Sequence, residues 1–379
     1  MASTYRPSFA LHPGAHLDEK LEELGMSQAE LARRTGLSQK HISQLIAGDV
    51  SLSPRTALLL EHTVGMPASL WNNLESRWQT HQAAQREADE LAEHSEWAAH
   101  FPIQEMKKRR LLTKDAQDGP LVRQLLDFFG IGSIDAWATT YSNVVSAKYR
   151  TAHGADRSPF VVATWLREAE LQASRLPTGP FDLKLARALP ETLRRVTAKG
   201  STSSHWWPQL VSHFAEAGIA LVLVPEYPPR TKLNGASRWV TSTKGLIALT
   251  GRGKRADKLW FTLLHELGHV ILHQKRRTFI NLEDGRAEDA VEAEADLFAK
   301  RSLIPETLES ELAAIPSNSL RAAVDFAEGA GLHPSIVIGR LHHERRLPHS
   351  HGVKDYCEPL DLEHPHWTVS GIADAHQPA

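Results

Sequence analysis

A chain of 379 residues is too long for one ordinary domain and predicts two or three. With 41% apolar and 23% charged residues, and no apolar run near the ~20 residues that cross a bilayer, it excludes a disordered tail and an integral membrane protein. A net charge of −2 gives the whole molecule no electrostatic pull toward nucleic acid, so DNA binding has to come from a local patch. The opening "MASTYRPSFALHPGAHL" lacks the order of charged, apolar and small residues found in a secretory signal. The single cysteine, Cys357, allows neither an intrachain disulfide nor a thiolate metal cage and reads as an inert thiol. Together these features predict a cytoplasmic protein with no membrane partner.

The first legible stretch is "MSQAELARRTGLSQKHISQLIAGD", residues 26–49. Ser27 predicts a helix cap, with Ala29, Leu31 and Ala32 turned inward. Thr35-Gly36 ends that helix in a tight turn. Ser38 caps a second helix with Ile42, Leu45 and Ile46 on one face, and Gly48 closes it. This is a helix-turn-helix pattern with Gln39, Lys40, His41, Ser43 and Gln44 on the exposed face of its second helix. Gln and Lys suit base-edge and phosphate contacts; Ser38 stands at that helix's start, and Gln28, Arg33 and Arg34 can hold the DNA backbone. The wider span 12–78 resembles the XRE-type helix-turn-helix of HigA-like antitoxins through His12-Pro13-Gly14, Ser53-Pro54 and Trp71-Asn72-Asn73-Leu74. The resemblance implies a five-helix, lambda-repressor-like fold, usually a homodimer, on double-stranded DNA with an operator of inverted half-sites.

Residues 81–214 read as a helical connector region, starting with the Ala- and Glu-rich "HQAAQREADELAEHSEWAAHF". "LVRQLLDFFG" and "PFVVATWLREAELQASRL" have helical apolar spacing and no chemical motif, which predicts packing and spacing. The pattern changes near residue 215. "GIALVLVP", "ASRWVTSTKG" and "GLIALT" read as short strands bounded by Gly, Pro and turns. Asp257 then predicts an N-cap for a long helix, and a second helix in "AEDAVEAEADLFAKRSLIP" stops at Pro305. The late "LHHERRLPHSHG" reads as a solvated tail. The expected fold is therefore multidomain and mainly α: a helix-turn-helix domain over 1–80, the helical middle region, an α+β domain with a small sheet over 215–350, which the resemblance given below implies is zincin-like, and a tail over 351–379.

"FTLLHELGHVILH", residues 261–273, places polar groups in the HExxH spacing within an apolar helix. His265 and His269, four apart, lie on one face and can aim ring nitrogens at one ion. Glu266 sits one step round, close enough to take a proton from water attacking a peptide carbonyl and to hand it to the departing amine. The five-letter pattern alone is a weak signal, so a third ligand is the test. Glu292 and Glu294 are available on the next helix. Glu292 is preferred because Asp296, four residues on, can accept the second ring N–H of a ligating histidine.

"DKLWFTLLHELGHVILH" followed by "EAEADLFAKRSLIP", with a later "FAEGAGLHPSIVIGRLHHERRLP", resembles the ImmA/IrrE family of zinc metallopeptidase domains over roughly residues 215–350. By position, the resemblance implies that His265, His269 and Glu292 bind Zn2+ and that Glu266 is the catalytic base. His273, a further i, i+4 step along, is read as packing against or orienting a ligand. Tyr227, Arg238 and His333 all remain open as oxyanion stabilisers, and His333 as a substrate contact. Two functions follow as expectations. One is a DNA-binding regulator whose zinc endopeptidase domain cleaves a protein substrate of repressor or antitoxin type. The other is a HigA-like antitoxin and autorepressor whose zincin fold senses metal or docks a cognate toxin without cutting.

Overall fold

The computed structural model describes residues 10–113, 121–142, 158–198, 202–228, 232–273, 279–282, 290–363 and 367. They fall into two compact units. The first comprises 10–96 with 121–123, and the second 97–113 and 124–367.

The first unit holds five helices: α1 (Pro13–Glu23), α2 (Gln28–Thr35), α3 (Gln39–Ala47), α4 (Pro54–Val64) and α5 (Ala68–Ala92). The hydroxyls of Ser27 and Ser38 accept the backbone N–H of Glu30 and His41, capping α2 and α3 as expected. Gly36 and Gly48 end those helices in the left-handed conformation. Leu17, Leu31, Ile42, Leu45, Leu60 and Trp71 close the core between them. Ala29, expected inward, is exposed: it lies about 200° around α2 from Leu31, on the opposite face.

The His12-Pro13-Gly14 entry now has a local cause at each residue. His12 Nδ1 accepts the Gly14 N–H at 2.9 Å, and its ring stands edge-on to Trp78 at 5.5 Å. Pro13 sits in the first turn of α1, where no N–H is missed. A Cβ on Gly14 would come within 2.0 Å of the Leu45 carbonyl oxygen, so only glycine lets α1 meet the end of α3.

In the second unit a four-stranded mixed sheet has the order β1 (Ile219–Leu223), β3 (Gly245–Leu249), β2 (Leu233–Trp239), β4 (Phe279–Leu282). β1 runs parallel to β3; β2 runs antiparallel to both β3 and β4. Every residue of β1 and β3 is buried, so both faces of that pair are covered. Helices α6 (Pro159–Arg175), α7 (Leu183–Thr197) and α8 (Ser203–Glu216) build part of this cover, and α6 and α8 both touch β1. A stacked aromatic set packs at the start of the unit, with Trp137 and Phe160 centroids 4.6 Å apart.

The long helix α9 (Ala256–Leu272) carries the HExxH stretch and packs on β2, β3 and the helix α10 (Ala290–Leu303). α10 ends before Pro305 as expected; residues 287–289 of its predicted start lie outside the described residues. Two further helices, α11 (Leu320–Gly329) and α12 (Pro334–His343), add to the core. Two expectations are corrected here. Arg255, not Asp257, is the N-cap of α9; Asp257 sits in the first turn, where its carboxylate is clamped by the Arg255 guanidinium at 2.7 and 2.9 Å. The "LHHERRLPHSHG" segment is no solvated tail, because Leu341, His342 and Leu347 are buried and His342 Nε2 donates to the His351 carbonyl at 3.0 Å. Cys357 is also buried, which with the neighbouring Asp257 pushes its thiol up to about 11, the chemistry of an inert thiol. Among the described residues, no helix is long and apolar enough to cross a membrane.

Candidate functional site

The α9 helix is held from behind by tryptophans. Trp260 packs against Trp206 at 5.5 Å, and Leu263, Leu264 and Leu267 are fully buried. That leaves little freedom for the opposite side, where His265, Glu266 and His269 are themselves buried at 3%, 0% and 2% exposure. Three polar side chains so deeply placed have a desolvation cost that needs a compensating interaction.

His265 Nε2 lies 3.0 Å from His269 Nε2, and Glu292 Oε2 is 3.2 Å from each of them. Two ring nitrogens and a carboxylate oxygen thus face one another as three converging acceptors. One proton cannot bridge all three. Donors bound at about 2.0–2.1 Å to one tetrahedral zinc stand about 3.3 Å apart, close to the spacing seen, so this triangle fits a metal ion.

The remaining ring nitrogens are engaged from outside. His265 Nδ1 faces Asp296 Oδ1 at 2.8 Å, and His269 Nδ1 faces His273 Nδ1 at 3.0 Å. A proton on His265 Nδ1 donated to Asp296 leaves the Nε2 lone pair aimed at the triangle. His273 Nε2 is itself 3.3 Å from Glu294 Oε2, so Glu294 supports His273 and does not join the triangle. Burial opposes charge on His265, but the hydrogen bonds to Asp296 and Glu292 and the nearby Glu266 push its imidazole up to about 10. The field that holds a proton there would equally hold a cation.

Gly268, inside the HELGH stretch, carries a role the sequence reading missed. A Cβ there would lie 3.2 Å from both the Ala295 Cα and a Phe298 ring carbon. The bare glycine allows α9 and α10 to approach, which brings Glu292 to the histidines. No local periodicity signals such a contact.

The three oxyanion candidates are engaged elsewhere. Tyr227 is buried and donates its hydroxyl to Glu168, and burial with that carboxylate pushes its pKa well above the ordinary range. Arg238 pairs with Glu170. His333 caps α12, bonds Ser335 and packs edge-on to Trp260 at 5.1 Å, and its burial pushes the imidazole down toward the neutral form.

In the first unit, Gln39, Lys40 and Ser43 are exposed on α3 and Ser38 is exposed at its N-cap, while His41 and Gln44 on α3 and Gln28 on α2 are half-buried. Ile42 and Leu45 anchor the other face. Arg33 and Arg34, expected to be free for a DNA backbone, both pair with Glu30 on their own helix, Arg34 Nε at 2.6 Å.

A family model described as "Helix-turn-helix" matches residues 17–71, and one described as "IrrE N-terminal-like domain", of Peptidase_M78, matches residues 228–328. The uncharacterized HTH-type transcriptional regulator YddM of Escherichia coli (strain K12) is 33% identical over 66 residues, which are 17% of this chain and 70% of YddM. Similar solved structures include a putative antidote protein of a plasmid maintenance system from Nostoc punctiforme, 27% identical, covering 23% of this chain and 94% of that one, at TM-score 0.22. A HigA-family addiction module antidote protein from Coxiella burnetii is also 27% identical, covering 24% and 95%, at TM-score 0.21. The chain belongs to the HTH-type transcriptional regulators, with an XRE-type helix-turn-helix domain at its N-terminus and an IrrE N-terminal-like, M78 peptidase-family domain toward its C-terminus.

Proposed function

We propose that this protein is a transcription regulator that reads an operator through α3 and cleaves a regulatory protein, of repressor or antitoxin type, with a zinc-dependent endopeptidase centre. The observation that carries the reading is the triangle of the buried His265 Nε2 and His269 Nε2 with the half-buried Glu292 Oε2, and the fully buried Glu266 beside it. These three atoms are the proposed ligands. Zinc, when bound, supplies Lewis-acid chemistry that lowers the pKa of a coordinated water to about 7 and polarises the scissile carbonyl.

The chain's own groups do the rest. Asp296 and His273 fix the rings of His265 and His269 so that Nε2 faces the site. The Glu266 carboxylate takes the proton of the attacking water as its oxygen bonds to the peptide carbon. It then delivers that proton to the amide nitrogen as the C–N bond breaks. At the other unit, Gln28, Ser38, Gln39, Lys40, His41, Ser43 and Gln44 supply base-edge and phosphate contacts, and two copies of the chain meet inverted half-sites.

A second reading rests on the first unit's resemblance to HigA-like antitoxins through His12-Pro13-Gly14: an autorepressor that docks a cognate toxin and does not cut. One experiment separates the two. The zinc-loaded chain is incubated with the regulatory proteins encoded beside it, as wild type and as Glu266→Gln. Cleavage by the wild type that falls about 100-fold or more in E266Q, with zinc retained, supports the peptidase. Equal cleavage by both, or none by a zinc-bound wild type, leaves the second reading.

A further inference from the structure

Beside the metal centre, within the second unit, lies a cavity of about 960 Å³. It touches neither metal-facing histidine nor Glu266 or Glu292; the feature it shares with that centre is Asp296. Its volume is at the upper end for pockets that take organic ligands and is far larger than a bare ion requires.

The charge on its walls is lopsided. Six cationic side chains line it, Arg252, Lys254, Arg255, Lys258, Lys300 and Arg340, against three carboxylates. Each carboxylate is already committed. Asp257 is clamped by Arg255, Asp296 faces His265, and Glu226 accepts the Leu233 N–H with Arg252 at 4.0 Å. Among the described residues, Lys254, Lys258 and Lys300 have no carboxylate within ion-pair distance. Arg340 is already paired, through Nε with Glu344 and through Nη2 with Glu309 at 3.5 Å, and its Nη1 is buried, so the cavity's unpaired charge is that of the three lysines. Leu259, Phe261 and Ile304 add apolar surface to the same cavity.

The cavity is also firmly built. Arg109 reaches in from the region before the sheet and donates to the carbonyls of Pro225 and Glu226 at 3.0 and 3.1 Å. Its guanidinium stacks 3.8 Å from the Tyr227 ring centroid and binds Glu168 at 3.1 Å. Pro225, Glu226 and Tyr227 form one wall, so the part of the sequence without a chemical motif holds that wall in place.

We propose that this cavity is a binding site for a polyanionic organic molecule of nucleotide size, whose phosphates meet Lys258 and Lys300 and whose ring lies against the apolar wall. Phosphate fits better than a single carboxylate, because several unpaired cations call for several negative charges on one ligand. Lys300 stands one helical turn beyond Asp296 on α10, so the ligand is held one turn from the group that orients His265. The site does not depend on the chain being a peptidase.

The test is calorimetric titration of the full-length protein with ADP, inorganic pyrophosphate and adenosine, on wild type and on the Lys258→Gln/Lys300→Gln double variant. Saturable binding of ADP or pyrophosphate is expected, with no binding of adenosine. The double variant should lose at least about tenfold in affinity while keeping its metal content and its thermal unfolding midpoint. Two results overturn the proposal: no saturable binding of either phosphate compound, or binding whose affinity the double variant leaves unchanged. Binding of a poly-glutamate peptide without either phosphate compound also overturns it, in favour of a peptide groove.

Discussion

The groups expected to act on DNA stand on the outside of α3, whose inner face is closed by Ile42 and Leu45. The groups expected to act on a peptide are in the opposite position. His265, Glu266 and His269 are buried, and their neighbours Asp296, His273 and Gly268 are committed to holding them. An exposed reading surface can change residue by residue with little effect on the fold. A buried centre cannot, because each polar group there depends on the others for its compensation.

The largest expected effect sharpens that contrast. Replacing His265 or His269 with Ala should lower metal affinity by more than about 100-fold, since a proposed ligand is removed outright; equilibrium dialysis with zinc reads this. Asp296→Ala leaves all three proposed ligands and removes the group that orients His265. A loss of about 10- to 100-fold is expected in the same assay, and an unchanged affinity would break the account of how the ring is held.

The first unit offers a matched pair. Gly14→Ala drives a methyl group into the Leu45 carbonyl and should destabilise that unit by about 1–3 kcal/mol in denaturant unfolding, with metal binding untouched. Gln39→Ala or Gln44→Ala should move stability by less than about 0.5 kcal/mol. Each should instead weaken binding to the protein's own promoter by about 1–3 kcal/mol, and to random duplex by less. Equal losses on both duplexes would argue against base readout by α3.

What the sequence revealed was mostly local. Ser27, Ser38, Gly36 and Gly48 act within four residues of themselves, and their caps and turns formed where the pattern placed them. The strands β1, β2 and β3 were legible as short apolar or turn-bounded runs. The convergence of Glu292 on the histidines was suggested by the companion Asp296, a spacing argument on one helix. The fourth strand was missed because "FINL" is too short to show a period. Asp257 looked like a cap because a free carboxylate suits one; its claim was lost to Arg255, a neighbour two residues away. Arg109, Glu168 and Tyr227 are 59 or more residues apart in sequence, and nothing in their local patterns announces that they meet. Gly14 and Gly268 belong to the same class, since their role is what fails to touch them.

The account rests most directly on whether two imidazoles and one carboxylate share a single divalent ion. Elemental analysis of the purified chain, with X-ray absorption at the zinc edge, tests this. The expected result is about one zinc per chain, with two histidine nitrogens and a carboxylate oxygen at about 2.0–2.2 Å. A chain that stays free of metal after loading with zinc, or zinc held by a different donor set, would contradict it.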